Sequence, residues 1–250
     1  MKKYLLLVLP LIGFSSAWGE ISIQNDQQFF SDDGSLHIVG ELKNNFDVPI
    51  NQVKIDAELL SNGIVVDEIK QSPMLNTIMP EMHSPFEIII SQEVARQIDE
   101  YSLSASYHVT EPKDQVIDIT ASDFSRDKFD NLVITGTVAN RGEITANTVV
   151  VVATLYDKNG NVAAVSKAHV EPDYLRANDE SFFFVPLPDK IESGSIVDYT
   201  LAAESEEYTA VPEFPLGSIL LLTASLGVYL ALTRYSRKFI VNFVSATNLK

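Results

Sequence analysis

An internal repeat constrains the fold of this chain more than any other feature of its sequence. The run Leu36–Asn44 (LHIVGELKN) corresponds to the run Leu132–Asn140 (LVITGTVAN), 96 positions later. Other apolar positions match at the same spacing or with a small insertion; they are Ile21 and Ile117, Val53 and Val149, Leu59 and Leu155, Phe86 and Phe183, and Tyr101 and Tyr199. A match that runs the whole length of a unit predicts two copies of one domain, joined near Glu111–Asp114.

Both copies carry the pattern of antiparallel β-structure. Short runs rich in Val, Ile, Thr and aromatic residues are separated by turn sequences such as Asp32-Asp33-Gly34. Six or seven such strands in about 95 residues predict a β-sandwich of immunoglobulin-like architecture. We therefore expect an all-β fold with sandwich domains at 20–110 and 115–209, and one short helical turn within Gln92–Asp99.

The second copy resembles a known family of small domains. Gly136–Asn140 (GTVAN), Val149–Asp157 (VVVATLYD after the first Val) and Gly160-Asn161-Val162 are similar to the FxLYD-type domain. That family is an extracellular β-sandwich common in prokaryotic surface proteins, so the resemblance implies fold and location. Ala153 stands where the family name has Phe, and the first copy, with Leu59-Leu60-Ser61, departs further.

Charge and cysteine content exclude several classes of function. All 34 acidic residues lie between Glu20 and Glu213, whereas six of the 18 basic residues lie at the two ends of the chain. An acidic body of this kind repels nucleic acid, so we expect no DNA or RNA partner. The chain has no cysteine, which excludes disulfides, thiolate metal sites and cysteine nucleophiles.

The N-terminus predicts export. Lys2 and Lys3 precede the apolar run Tyr4–Phe14, and Ser15-Ser16-Ala17 supplies small residues for cleavage. This order is typical of a secretory signal peptide, which we place at residues 1–19. An uncleaved signal anchor is the alternative.

The C-terminus predicts a membrane anchor. After a linker at 210–215, the uncharged segment 216–233 is about 27 Å long as a helix, enough to span a bilayer. The basic cluster that begins at Arg234 places the tail, 234–250, in the cytoplasm. The body is then extracytoplasmic on a single-pass membrane protein.

The anchor carries a second resemblance. Pro212, Glu213, Phe214 and Pro215, followed by an apolar span and a basic cluster, look like the PEF-CTERM sorting signal of archaeal surface proteins. The resemblance implies recognition by a membrane sortase, processing and attachment to the cell surface. Such signals end at the basic cluster, whereas this chain continues through 239–250, so a plain transmembrane anchor is the alternative.

One face of the second copy is unusually apolar. The first copy has Lys54, Asp56 and Glu58 alternating with its core positions, but the second has apolar residues there and at two positions of a later strand. The candidate interface residues are Val150, Val152, Tyr156, Phe182 and Phe184. Exposed contiguous apolar surface marks an interface, so we expect a docking surface for a partner or a second copy. The alternative is that these residues pack within the domain or against the first copy.

Metal binding is weighed at two places. Met74, Met79, Met82 and His83 offer thioether and imidazole ligands that suit Cu(I). The alternative is an apolar loop that closes the sandwich, because Met fills irregular gaps.

Calcium is the second metal considered. Asp157-x-Asn159-x-Asn161 begins like a calcium loop, but Ala168 stands where the twelfth ligand would be, and a hairpin turn explains the residues more simply. Asp32-Asp33 is a second acidic candidate for calcium.

No nucleotide-binding, hydrolase or metalloprotease motif occurs, so we expect no enzyme. The sequence predicts a membrane-anchored extracellular protein with a binding or structural role in the cell envelope: adhesion, surface-layer association or an accessory subunit of a membrane complex. The alternative is an extracytoplasmic metal-handling protein that uses the Met/His loop for copper.

Overall fold

Nearly all regular structure in the described part of the chain is β-strand. The computed structural model describes residues 20–188 and 196–211. Its strands are β1 (Ile21–Phe30), β2 (Leu36–Asn44), β3 (Ile50–Ser61), β4 (Ile64–Gln71), β5 (Thr77–Ile78), β6 (His83–Ile90), β7 (Glu100–Val109), β8 (Gln115–Arg126), β9 (Leu132–Asn140), β10 (Ala146–Asn147), β11 (Val150–Asp157), β12 (Val162–His169), β13 (Tyr174–Leu175), β14 (Glu180–Pro186), β15 (Ile196–Glu204) and β16 (Thr209–Ala210). A single helical turn, α1 (Gln92–Ala95), lies where the sequence predicted one. The prediction of an all-β fold is confirmed.

The first half, residues 20–110, has two layers of strands. One sheet has the order β1-β2-β6, and the other has β3 between β4 and β7 with the short β5 also on β3. Inward residues of both sheets form one buried cluster around Ile38, Ile55 and Phe86, each fully buried or nearly so. Successive side chains of a strand point to opposite faces, so the apolar residues that alternate along each strand all face the space between the two sheets.

The second half, residues 115–211, repeats the arrangement with its own core. One sheet has the order β14-β9-β8-β16, the other has β12-β11-β15, and β10 pairs with β13. The buried cluster surrounds Ile134, Val151 and Phe183. The strand orders of the two halves thus correspond, with β9 in the place of β2 and β11 in the place of β3.

A buried asparagine ends the second strand of each half in the same way. The Asn44 side-chain amide donates to the carbonyls of Val48 and Ile78 at 3.0 and 2.9 Å. The Asn140 amide donates to the carbonyls of Ile144 and Leu175 at 2.8 and 2.9 Å. Each side-chain oxygen accepts from the backbone N–H two residues later, at 2.9 Å in both halves. Both asparagines are 0% exposed, so every one of these bonds replaces a bond to water.

A glycine beneath a phenylalanine ring is the second feature that the two halves share. A Cβ at Gly40 would lie 2.7 Å from the Phe86 ring, and a Cβ at Gly136 would lie 2.5 Å from the Phe183 ring. Glycine therefore lets the ring of the neighbouring strand cross the backbone closely. The Leu36–Asn44 and Leu132–Asn140 runs of the sequence correspond in space as well as in order.

The described residues up to Val211 belong to one compact unit. No helix within 20–188 or 196–211 has the length and apolar character that crossing a membrane requires. The predicted signal peptide, membrane span and cytoplasmic tail lie outside the described residues.

Candidate interaction surfaces

The outer face of the β12-β11-β15 sheet is covered by the first half. Val150 and Val152 lie on this face and are 3% and 1% exposed. On the same face, Val165 joins a buried cluster with Val162 and with Val39 of β2, against which Tyr156 also packs. The junction between the halves is therefore an apolar contact between the sheet that contains β2 and the sheet that contains β11.

A buried carboxylate from the first half strengthens the junction. Glu41 is 2% exposed and accepts from the Tyr156 hydroxyl at 3.0 Å, across the junction. It also accepts from the Asn25 amide at 2.6 Å and lies 3.1 Å from His83 Nδ1. Burial opposes ionisation of Glu41, but the bonds from His83, Asn25 and Tyr156 outweigh it and hold the pKa of Glu41 below its ordinary value.

A second buried carboxylate reaches across in the opposite direction. Glu204 of β15 is 2% exposed and accepts from the backbone N–H of Asn76 at 2.9 Å. The Asn76 side-chain amide donates to it at 3.0 Å, and Lys167 Nζ lies 3.6 Å away. Burial dominates here and raises the pKa of Glu204, because the donated bonds and Lys167 offset it only in part. Glu41 and Glu204 together form what we call the carboxylate clamp.

The predicted candidate interface separates into two groups. Val150 and Val152 are buried, which corrects their expected place on an exposed docking surface. Tyr156 is partly buried and packs against the junction cluster of Val39, Val162 and Val165. Phe182 and Phe184, by contrast, are 60% and 43% exposed.

The two exposed phenylalanines form a surface on β14. Phe182 stands opposite Thr137 and Phe184 opposite Thr135 in the antiparallel pairing with β9. Phe183 between them points inward and is 1% exposed. Two bulky rings therefore project side by side from an edge strand, on the side of the second half that the first half does not cover.

The four residues of the Met/His loop lie in different environments. Met74 packs against the junction cluster, whereas Met82 packs against the first-half core and its Sδ accepts from Gln115 Nε2 at 3.8 Å. Met79 is buried at 7% exposure, and His83 lies beside Glu41. Met74 and Met82 thus pack against different apolar clusters, and His83 contacts a carboxylate.

The calcium candidates form turns. Asp157 Oδ1 accepts from the backbone N–H groups of Asn159 and Asn161 at 2.8 and 3.0 Å, which closes the β11–β12 hairpin. Asp33 Oδ1 accepts from the Ser35 backbone and hydroxyl in the β1–β2 turn. Among the described residues, no group of three or more His, Cys, Asp or Glu side chains could hold a metal ion. The predicted sorting residues, Pro212 to Pro215, lie outside the described part of the chain.

Sequence reasoning missed Glu41 and Glu204. A lone carboxylate inside the apolar run Leu36–Asn44 was a signal that could have marked Glu41 as a buried acceptor. Glu204 lies in an acidic stretch, Glu204-Ser205-Glu206-Glu207, and nothing local distinguishes it from its exposed neighbours.

Comparison with solved structures finds chains that are similar to this one, among them an enzyme. The crystal structure of red sea bream transglutaminase matches with 10% sequence identity and a TM-score of 0.24, covering 79% of this chain. The chain spans 31% of the length of that structure. No protein-family model matches the chain. No curated protein matches it.

Proposed function

We propose that this chain is a membrane-anchored extracellular binding protein of the cell envelope, without enzymatic activity. Its body consists of two tandem β-sandwich domains of the FxLYD type, and its C-terminal segment, 216–233, is the membrane anchor. The protein engages a protein partner outside the membrane, as an adhesion, surface-layer or accessory component. Nucleic acid is not a partner.

The paired devices of the two halves support the tandem-domain proposal. Asn44 and Asn140 make equivalent bonds, and Gly40 and Gly136 admit equivalent rings. Position-specific side-chain bonds of this kind are a stricter criterion than a shared strand order, because many unrelated sandwiches share their order of strands.

The envelope location is supported by the sequence at the two ends of the chain. A signal peptide, an uncharged 18-residue segment and a basic cluster together favour a type I topology. The resemblance of Pro212–Pro215 to a sorting signal adds a membrane sortase as a processing partner. Retention of the C-terminal segment as a plain anchor is the alternative outcome.

The exposed Phe182–Phe184 surface is the observation that carries the binding function. Phe182 and Phe184 are 60% and 43% exposed, so covering them would contribute roughly half of the 1.5–3 kcal/mol that complete burial of such a side chain gives. Other large apolar side chains, such as Phe129 and Ile64, are also exposed, but Phe182 and Phe184 are two aromatic rings on one face of a single edge strand in a strongly acidic body.

Co-purification from gently solubilised membranes tests the function. We expect the full chain to retain an envelope protein in stoichiometric amount, and a Phe182→Ser/Phe184→Ser variant to lose it. Ile64→Ser/Val66→Ser on β4 is the matched control, because it removes two other exposed apolar side chains. The proposal fails if wild type and the β14 variant retain the same proteins, or if neither retains any.

A further inference from the structure

The edge of β14 is the feature that carries a further inference. β14 is the terminal strand of its sheet, paired with β9 on one side over seven consecutive residues without a bulge. A regular edge strand presents backbone N–H and C=O groups that can pair with another strand. Native proteins usually block such edges with proline, charge, bulges or a covering segment.

β14 has a proline at its end, where the Pro186 carbonyl accepts from the Ser166 hydroxyl at 2.6 Å, but neither proline nor charge at Phe182 and Phe184. The corresponding strand of the first half shows all but one of these protections. In β6, Pro85 stands where β14 has Phe182, and it has no N–H to offer. The Pro85 carbonyl accepts from the Met74 backbone N–H at 2.8 Å, so the loop before β5 covers this edge. Glu87 stands where β14 has Phe184, which adds a charge.

Pro85 also shows which backbone groups of β14 face outward. A proline within a sheet is tolerated where its nitrogen points away from the neighbouring strand, and the Pro85 carbonyl is bonded to a loop outside the β1-β2-β6 sheet. By correspondence, the N–H and C=O groups of Phe182 and Phe184 point away from β9. Within the described part of the chain, no hydrogen bond occupies the outward groups of these two residues.

We propose that β14 pairs antiparallel with β14 of a second copy of this chain, which joins the two β14-β9-β8 sheets into one. Pairing centred on Phe183 places Phe182 of one copy opposite Phe184 of the other, twice. The arrangement forms about four backbone hydrogen bonds and two aromatic cross-strand pairs. It rests on the proposed binding role of the Phe182–Phe184 surface: the second copy occupies the edge of β14, and the rings of both copies form one surface on the joined sheet.

The charge distribution favours a second copy at this strand. The chain carries a net charge of −16, so most surfaces of two copies repel each other. From Ser181 to Pro186 the strand has no charged residue, and Glu180 at its start is paired with Arg141 at 3.1 Å. The same strand from another molecule therefore meets it without opposing two unpaired carboxylates.

The charges on the outer face of β3 disfavour the association of copies end to end. The outer face of β3 in the first half carries Lys54, Asp56 and Glu58, where the second half has the apolar residues of the junction. A copy that tried to repeat the internal junction would bury these charges, which costs several kcal/mol per ion. The assembly is thus a closed pair and not a filament.

Sedimentation of the purified full-length chain tests the proposal. We expect twice the monomer mass for wild type, and a dissociation constant raised about tenfold or more by Phe182→Pro/Phe184→Glu. This variant gives β14 the residues that β6 already carries at Pro85 and Glu87, so the sandwich should tolerate them. Ile64→Ser/Val66→Ser is the control and should leave the dimer unchanged. A monomeric wild type, or a β14 variant with the dissociation constant of wild type, overturns the proposal.

A disulfide test does not depend on the folding of that variant. The chain has no cysteine, so mixing Phe182→Cys with Phe184→Cys under oxidation reports only the introduced pair. Directly opposed residues in a hydrogen-bonded antiparallel pair have Cα atoms about 5.5 Å apart, which suits a disulfide. We expect the mixed disulfide to form faster than either homodimeric one, and equal rates would overturn the register.

The same measurements separate this inference from the wider function. A chain that stays monomeric but still retains another envelope protein overturns the dimer and leaves the proposed function standing. A chain that dimerises through β14 and retains no other protein supports the dimer and overturns the wider function.

Discussion

Where the second half carries Val150, Val152 and Thr154, the first half carries Lys54, Asp56 and Glu58. All three residues of the second half are buried, whereas Lys54 and Glu58 of β3 are exposed and Asp56 is half-buried. The interiors show no such contrast, since Phe86 and Phe183 fill equivalent places at 0% and 1% exposure. Inward positions thus determine the fold of each half, and outward positions determine what each half associates with.

The carboxylate clamp shows the same division. Glu41 corresponds to Thr137 in the second half, and Glu204 corresponds to Ser106 in the first. Each half therefore contributes one buried acceptor that the other half lacks, and the two bond in opposite directions across one junction. The Glu41 and Glu204 contacts can therefore form only once in each chain, and a row of further copies cannot repeat them.

The largest effect is expected where the halves agree. Asn44→Ala and Asn140→Ala should each lower the free energy of unfolding by about 3 kcal/mol, because each leaves buried carbonyls and an N–H without partners. Urea denaturation measures the loss. Asn159→Ala, on an exposed turn, should change the stability by less than about 0.5 kcal/mol. If the two substitutions lower the free energy of unfolding by amounts that differ severalfold, Asn44 and Asn140 do not have equivalent roles.

A smaller effect is expected in the pH dependence of the stability that the carboxylate clamp contributes. Glu41 and Glu204 should change it in opposite directions. Glu41 has a lowered pKa, so its stabilising contribution is present above the ordinary carboxyl pKa and is lost as pH falls. Glu204 has a raised pKa, so its contribution is present at low pH and is lost as pH rises through its native pKa. Relative to Glu41→Gln, wild type should lose stability as the pH falls below the ordinary carboxyl pKa of about 4.3. Relative to Glu204→Gln, wild type should lose stability as the pH rises above that value.

Unfolding titrations of both variants against wild type measure this difference. Each change should be on the order of 1 kcal/mol, the size of a buried hydrogen bond. Glu143→Gln is the control, since its exposed carboxylate lies outside the junction. Parallel trends for Glu41→Gln and Glu204→Gln would contradict the environments described for them.

Much of the fold could be predicted because its causes are local. The 96-residue repeat, the alternation of apolar residues and the turn at Asp157–Gly160 are each visible in the sequence. Even the match of Asn44 with Asn140 was there to find. These features act through neighbouring residues and through the two-residue period of a strand, which a single sequence records.

The candidate site could be predicted only in part. An apolar outer face on the second half was visible, but not which of its residues would be covered. Val165 and Tyr156 on this face meet Val39 of the first half through a docking of strands that are far apart in the chain, and no local pattern encodes that geometry. Phe182 and Phe184 remain exposed because the internal junction uses a different sheet of the second half.

The central claim is that each half folds through its own core, and that the outer face of β11 holds the two together. Calorimetry of Val150→Lys/Val152→Asp, which transfers Lys54 and Asp56 of the first half to the junction, tests it most directly. Wild type should unfold in a single cooperative transition, and the variant in two separate transitions. A variant that unfolds in one transition at an unchanged temperature, or that loses both halves together, would contradict the claim.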